Sequence, residues 1–149
     1  LDCIFNKGTA YFPWSKDALL ETILNEEIQN DDYKFYFGWF QYTSATSIKG
    51  LGFKVSNNVI TGFLGNGTTT AFTSTIGSGV HNIVNLRVMW DASSKTATYY
   101  INGVSVATLT DSSVSGEASG TKLGYQLDDP NQMGAVFHLQ QHHVTLSLI

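Results

Sequence analysis

The chain has 149 residues, enough for one domain with a sizeable core, and carries 13% charged residues with a net charge of −4. Its eight Lys and Arg are scattered and Arg87 is the only arginine, so there is no basic stripe for a nucleic-acid backbone or an acidic membrane surface. A single cysteine, Cys3, allows no disulfide within the chain and no Cys-based zinc site. No apolar run approaches the roughly 20 residues of a membrane-spanning helix. The start at Leu1, without a signal-peptide pattern, reads as a processed product or a domain cut from a longer polypeptide.

In chain order, residues 1–12 read as an opening strand with a turn at Asn6, Lys7 and Gly8. Residues 15–29 are ambiguous. Leu19, Leu20, Ile23, Leu24 and Ile28 fall at helical spacing behind a capping Ser15, yet Leu20, Thr22 and Leu24 alternate equally well. A strand is the reading the rest of the fold asks for. After a turn at Asn30, Asp31 and Asp32, residues 33–43 form a long aromatic strand. One of its faces carries Phe35, Phe37 and Trp39, the other Tyr36, Gly38, Phe40 and Tyr42. Residues 44–47 read as loop, 51–55 as a strand, 56–58 as a turn and 59–64 as the returning strand. Gly65, Asn66 and Gly67 turn again into a Thr-rich strand over 68–74.

Residues 83–109 predict three successive antiparallel strands. Ile83 to Trp90 are strand formers, Asp91 to Lys95 are turn chemistry, and Thr96 to Ile101 are β-branched and aromatic. Asn102-Gly103 suits the positive φ of a tight hairpin, and Val104 to Leu109 run back. A polar loop over 111–120, a strand over 123–127, a turn at Asp128 to Asn131 and a closing strand over 136–149 complete the chain. In that last strand the apolar parity of Phe137 and Leu139 is opposite to that of Val144, Leu146 and Leu148, a slip that a one-residue bulge near Gln140-Gln141 repairs. Frequent turns without a firm helix mean a single all-β domain over 1–149, a sandwich or barrel.

The segments Tyr33 to Phe40, Gly52 to Val55, Val59 to Gly67, Leu86 to Asp91 and Tyr99 to Val104 resemble the concanavalin A-like lectin/glucanase superfamily, in particular jelly-roll domains of bacteriophage tail, fibre and capsid-appendage proteins. The resemblance covers about residues 18 to 110 and implies a two-sheet antiparallel jelly-roll sandwich. It also implies a surface or extracellular setting such as a virion, and a partner that is a host-surface glycan or a neighbouring virion protein. The acidic sugar- and metal-binding motifs of legume lectins have no match here.

Candidate chemistry is sparse. Glycosidases of that superfamily pair carboxylates along one strand, but Glu21, Glu26, Glu27 and Glu117 never stand two residues before an Asp. His138 and His142 share parity, but four strand residues span roughly 13 Å, too far for one metal with bonds of roughly 2 Å unless a bulge draws them together; polar residues where the strand bends are the favoured reading. Asp128 to Asn131 and the Asn66-Gly67-Thr68 sequon read as turn formers. The chain therefore reads as a non-enzyme without metal or cofactor. The set with most to offer is aromatic. If Phe35, Phe37, Trp39, Leu86, Val88 and Trp90 fill the core, the opposite faces carry Tyr36, Phe40, Tyr42, Arg87 and Met89, with Tyr100 joining from the next strand. Rings that stack on a sugar beside groups that bond its hydroxyls suit a glycan groove. The competing expectation is that Phe40 and Met89 are covered by the N-terminal segment or by another subunit of a homo-oligomer.

Overall fold

A computed structural model describes residues 12–27, 34–56, 59–78, 84–118, 122–128 and 138–148. The expected opening strand before Phe12, Cys3, the turn at Asn30 to Asp32 and most of the Asp128 to Asn131 turn lie outside these residues. The strands are β1 (Phe12–Pro13), β2 (Ala18–Glu27), β3 (Lys34–Ser44), β4 (Ser47–Ser56), β5 (Val59–Asn66), β6 (Thr70–Phe72) and β7 (Gly77–Ser78). They continue with β8 (Val84–Asp91), β9 (Thr96–Ile101), β10 (Val104–Thr110), β11 (Glu117–Ala118), β12 (Lys122–Asp128) and β13 (His138–Leu148). Among the described residues no helix is long and apolar enough to cross a membrane.

Two antiparallel sheets form the sandwich, one in the order β10-β9-β8-β2-β13 and one in the order β12-β3-β4-β5-β6 with β7 also on β5. The ambiguous segment is strand over Ala18–Glu27, an interior strand between β8 and β13, where a helix would leave the facing edges of both neighbours without ladder bonds. The expected β8–β9–β10 meander is present, and its Asn102-Gly103 turn has φ of 49° and 81°. The closing strand slips register between Leu139 and His142 against Glu26 and Leu24, the one-residue bulge that the parity change requires. Two short pairings carry no periodic signal and escape the sequence reading. β1 pairs with β11 inside the expected polar loop, and β7 pairs with β5. The expected loop at 44–47 shrinks to the tight turn between β3 and β4.

The core lies between the sheets and draws on both. Phe35, Phe37, Trp39, Leu51, Phe53, Ile60 and Leu64 come from one, and Leu20, Leu86, Val88, Trp90, Ala97 and Tyr99 from the other. Trp14 meets Trp90 edge-on at 4.9 Å and Phe12 at 4.7 Å, while Phe12 reaches Trp39 at 5.5 Å, so this residue closes the gap between the sheets. The indole Nε1 of Trp90 donates to the Trp14 carbonyl at 3.0 Å. Tyr99 crosses the whole interior, and its hydroxyl donates to the Phe63 carbonyl of the facing sheet at 2.5 Å. Complete burial pushes its phenol pKa well above the ordinary 10.0. The ring fits because position 62 is glycine. A Cβ there would sit 2.5 Å from Tyr99 Cε1.

At the β8–β9 turn, Asp91 Oδ1 accepts bonds from Ser93 Oγ at 2.7 Å, Ser93 N at 2.8 Å and Ser94 N at 3.1 Å. The Ser93 hydroxyl bond is the largest of the influences that lower its pKa from the ordinary 3.8 to about 2. Because the folded value is the lower one, the stabilisation is complete well above 3.8 and is lost as pH falls toward 2. An NMR titration of the Asp91 carboxyl carbon is expected to give a midpoint near 2. Gly62→Ala is expected to destabilise the fold by about 1 to 3 kcal/mol through overpacking against Tyr99. Tyr99→Phe, which keeps the ring, is expected to cost about 0.5 to 1.5 kcal/mol. Both are read from urea midpoints at constant m-value.

Candidate functional site

The six residues singled out from the sequence do not form one site. Phe35, Phe37 and Trp39 do face the core, and Tyr36, Phe40 and Tyr42 do share the opposite face of β3. Arg87, Met89 and Tyr100 likewise face away from the core on β8 and β9. But β3 belongs to one sheet and β8 and β9 to the other, so the two outward faces lie on opposite sides of the sandwich. Strand parity separates inside from outside. It does not say which outside.

On the six-stranded sheet the outward aromatics are packed rather than presented. Tyr36 and Phe63 are 0% exposed and Phe40 is 7% exposed, and with Ile48 they form a second apolar cluster flanked by Tyr42 and Phe72. The cluster exists because of what stands between the rings. Phe40 and Phe63 sit two strands apart, a spacing of roughly 9.6 Å, yet their ring centroids meet at 5.5 Å. The intervening β4 positions are Gly50, opposite Phe40, and Gly52, opposite Phe63. With no side chain at these two β4 positions the rings close over the strand, and Tyr36 joins at 6.0 Å from Phe63. The expected open aromatic groove is therefore absent at Tyr36 and Phe40, whose rings are needed to bury one another. At its rim Lys54 stands 5.1 Å from the centre of the Phe72 ring.

The outward face of the five-stranded sheet is different. Register sets Glu21 of β2, Arg87 of β8 and Tyr100 of β9 side by side in one cross-strand row. The next row on the same face is Leu19, Met89 and Thr98, and on the other side Ile23 stands opposite Asn85. All of these side chains are half-buried. Arg87 Nη2 lies 3.2 Å from Glu21 Oε1, with the two side chains 34% and 25% exposed. Asn85 Nδ2 donates to the same oxygen at 2.7 Å. The Asn85 backbone is pinned in turn, its N–H donating to Asn102 Oδ1 at 2.9 Å and its carbonyl accepting from Asn102 N at 2.8 Å. The hairpin turn thus fixes the end of the row.

This arrangement has a defined chemistry. A guanidinium carries five N–H donors in a planar fork, and the described residues use Nη2. Its partner carboxylate neutralises the charge and also accepts from the Asn85 amide. Side by side they form a fixed donor–acceptor pair, with the Tyr100 phenol on one flank and the apolar Met89 and Leu19 on another. Sequence reasoning found Arg87, Met89 and Tyr100 and missed Glu21 and Asn85. Asn85 shares the parity of Arg87 and was legible. Glu21 needed the register of β2 against β8, which no periodicity contains. Among the described residues no group of three or more His, Cys, Asp or Glu side chains could hold a metal ion. An open depression of about 570 Å³ between the β1–β2 and β8–β9 turns is lined by Ser15, Lys16, Asp17, Ala92 and Ser93 and gathers no comparable array.

No family model matches the chain, and no curated protein matches its sequence. Solved structures do share its fold. The Botulinum neurotoxin serotype G binding domain superposes with a TM-score of 0.59 at 12% identity, over 97% of this chain and 35% of that one. A protein of unknown function from Shewanella oneidensis MR-1 gives 0.55 at 12% identity, over 93% of this chain and 57% of that one. A Caenorhabditis elegans galectin gives 0.51 at 12% identity, over 97% and 95%. The chain thus spans about a third of the toxin binding domain and nearly all of the galectin. At this identity the likeness shows the fold alone, an all-β, two-sheet antiparallel jelly-roll sandwich.

The two faces are expected to respond oppositely to truncation. Tyr36→Ala should lower stability by about 3 to 5 kcal/mol, as for other buried aromatics. Arg87→Ala, which breaks a partly solvated ion pair, should change stability by about 1 kcal/mol or less. Chemical denaturation of the two variants checks both.

Proposed function

We propose that this domain is a non-catalytic glycan-binding or attachment module. The observation that carries the reading is the cross-strand row of Glu21, Arg87 and Tyr100 with Asn85 bonded into it. A sugar offers hydroxyls that both donate and accept, and apolar C–H patches that rest on rings and alkyl groups. Arg87 supplies donors, Glu21 an acceptor, and Tyr100 and Met89 the apolar rest. Since the acid, the arginine and the asparagine already hold one another, little ordering cost is left for the moment of binding. The toxin binding domain and the galectin among the similar folds support this class of function, though they do not locate a site. Hydrolysis fits poorly. Glycosidic cleavage needs two carboxyls about 5 to 9.5 Å apart, and Asp91, the other carboxylate that β8 turns to this face, lies four strand residues, roughly 13 Å, from the Glu21–Arg87 row. The setting we propose, a phage or virus appendage or another extracellular surface, rests on the sequence resemblance.

The test is a glycan array with the wild type, Arg87→Ala and Tyr100→Ala, each verified as folded by circular dichroism. Specific binding by the wild type is expected, weakened roughly 10- to 100-fold by Arg87→Ala because charge-assisted hydrogen bonds are lost. A clean wild-type array, or binding indifferent to Arg87, overturns the reading. A clean array together with a stable higher assembly would favour a structural decoration or assembly module of a virus particle.

A further inference from the structure

The most exposed strand among the described side chains is also an edge. β10, Val104–Thr110, ends the five-stranded sheet and pairs only with β9. Val104 is 64% and Val106 38% exposed, Ser105, Thr108 and Thr110 are exposed as well, and only Ala107 and Leu109 turn inward against the core. Among the described residues no strand other than β9 pairs with it. It carries no charge and no proline, the devices that usually blunt an edge, and its one protection is the register shift between Ser105 and Ala107 that leaves Val106 as the extra residue.

The free hydrogen-bonding groups can be assigned. Asp111 N donates to the Lys95 carbonyl at 3.1 Å, just beyond the Thr110–Thr96 pair. In an antiparallel ladder residues turn their N–H and C=O alternately toward and away from the partner. Asp111, Leu109 and Ala107 therefore bond toward β9, and Thr110 and Thr108 present their backbone groups to the open edge. The hydroxyls of Thr96 and Thr110 lie 2.9 Å apart, as the close side chains of a non-hydrogen-bonded pair should.

We propose that β10 docks a second copy of this chain, edge to edge and antiparallel. About a two-fold axis through Thr108 the two Thr108 residues exchange their outward N–H···O bonds. Ala107 then faces Leu109 of the other copy, Val106 faces Thr110, and Asp111 falls beside Ser105 rather than beside another acid. Ala107 and Leu109 meet on the inward face, the regular ladder ends where Thr110 reaches the bulge at Val106, and no like charges are opposed. The charge-free strand thus fits another of its own kind, and pairing joins two five-stranded sheets into one continuous ten-stranded sheet.

Sedimentation velocity of the full chain, from micromolar to millimolar, tests this. The wild type is expected to pass from monomer to dimer. Thr108→Pro removes only an outward N–H, so the β9 ladder stays intact. It is expected to weaken the dimer by about tenfold or more. Should Thr108→Pro fail to fold by circular dichroism, Val106→Lys, an exposed substitution that sets a charge on each copy at the seam, decides instead and is expected to have the same effect. A wild type that stays monomeric throughout, or an assembly that survives the folded variants unchanged, overturns the proposal.

Discussion

The contact between Tyr99 and the backbone of β5 sets how the two sheets face each other. A phenol buried to 0% exposure holds its hydroxyl on the Phe63 carbonyl and its ring over Gly62. A fully buried hydroxyl without a partner would be costly, so the bond makes one lateral placement of the sheets better than its neighbours. It also sets the parity of β9. With Tyr99 directed inward, Tyr100 must point outward, and the ladder with β8 then brings it beside Arg87. The outward polar row is a by-product of an inward anchor.

The same sheet economy explains the contrast between the two outer surfaces. On the six-stranded sheet, glycines at Gly50 and Gly52 remove the side chains that would hold Phe40 and Phe63 apart. The rings collapse onto the sheet, and an apolar surface becomes a satellite core. On the five-stranded sheet every position between Glu21 and Tyr100 carries a side chain, so the row stays upright and half-open. Aromatic content alone is thus a poor guide to where a ligand could rest. What stands beside each ring decides whether it is surface or filling.

Much of the fold was legible in the sequence because local rules carry it. The Asn102-Gly103 hairpin, the two faces of β3 and the bulge near Gln140-Gln141 all follow from positive φ, period two, or a broken period two. The candidate site was legible only in pieces. Arg87, Met89 and Tyr100 share an outward face for reasons visible within two adjacent strands. Their grouping with Tyr36, Phe40 and Tyr42 was wrong because sheet membership is set by pairings between distant strands. Glu21 was missed for the same reason, since its place beside Arg87 depends on β2 lying against β8. The β1–β11 and β7–β5 contacts are two residues long, too short for any pattern to declare them.

The interior place of β2 has a consequence for how the chain is made. Its partners on either side are β8 and β13, so it leaves the ribosome long before either exists. During that interval β3, β4 and β5 can zip together as neighbouring hairpins, while Leu19, Leu20 and Ile23 wait with both backbone edges open. Closing such distant pairs costs loop entropy before any ladder bond repays it, which makes folding slow and leaves a nascent apolar strand unprotected. Until β8 and β13 emerge, the segment from Leu19 to Ile23 is the part of this sheet longest open to mispairing.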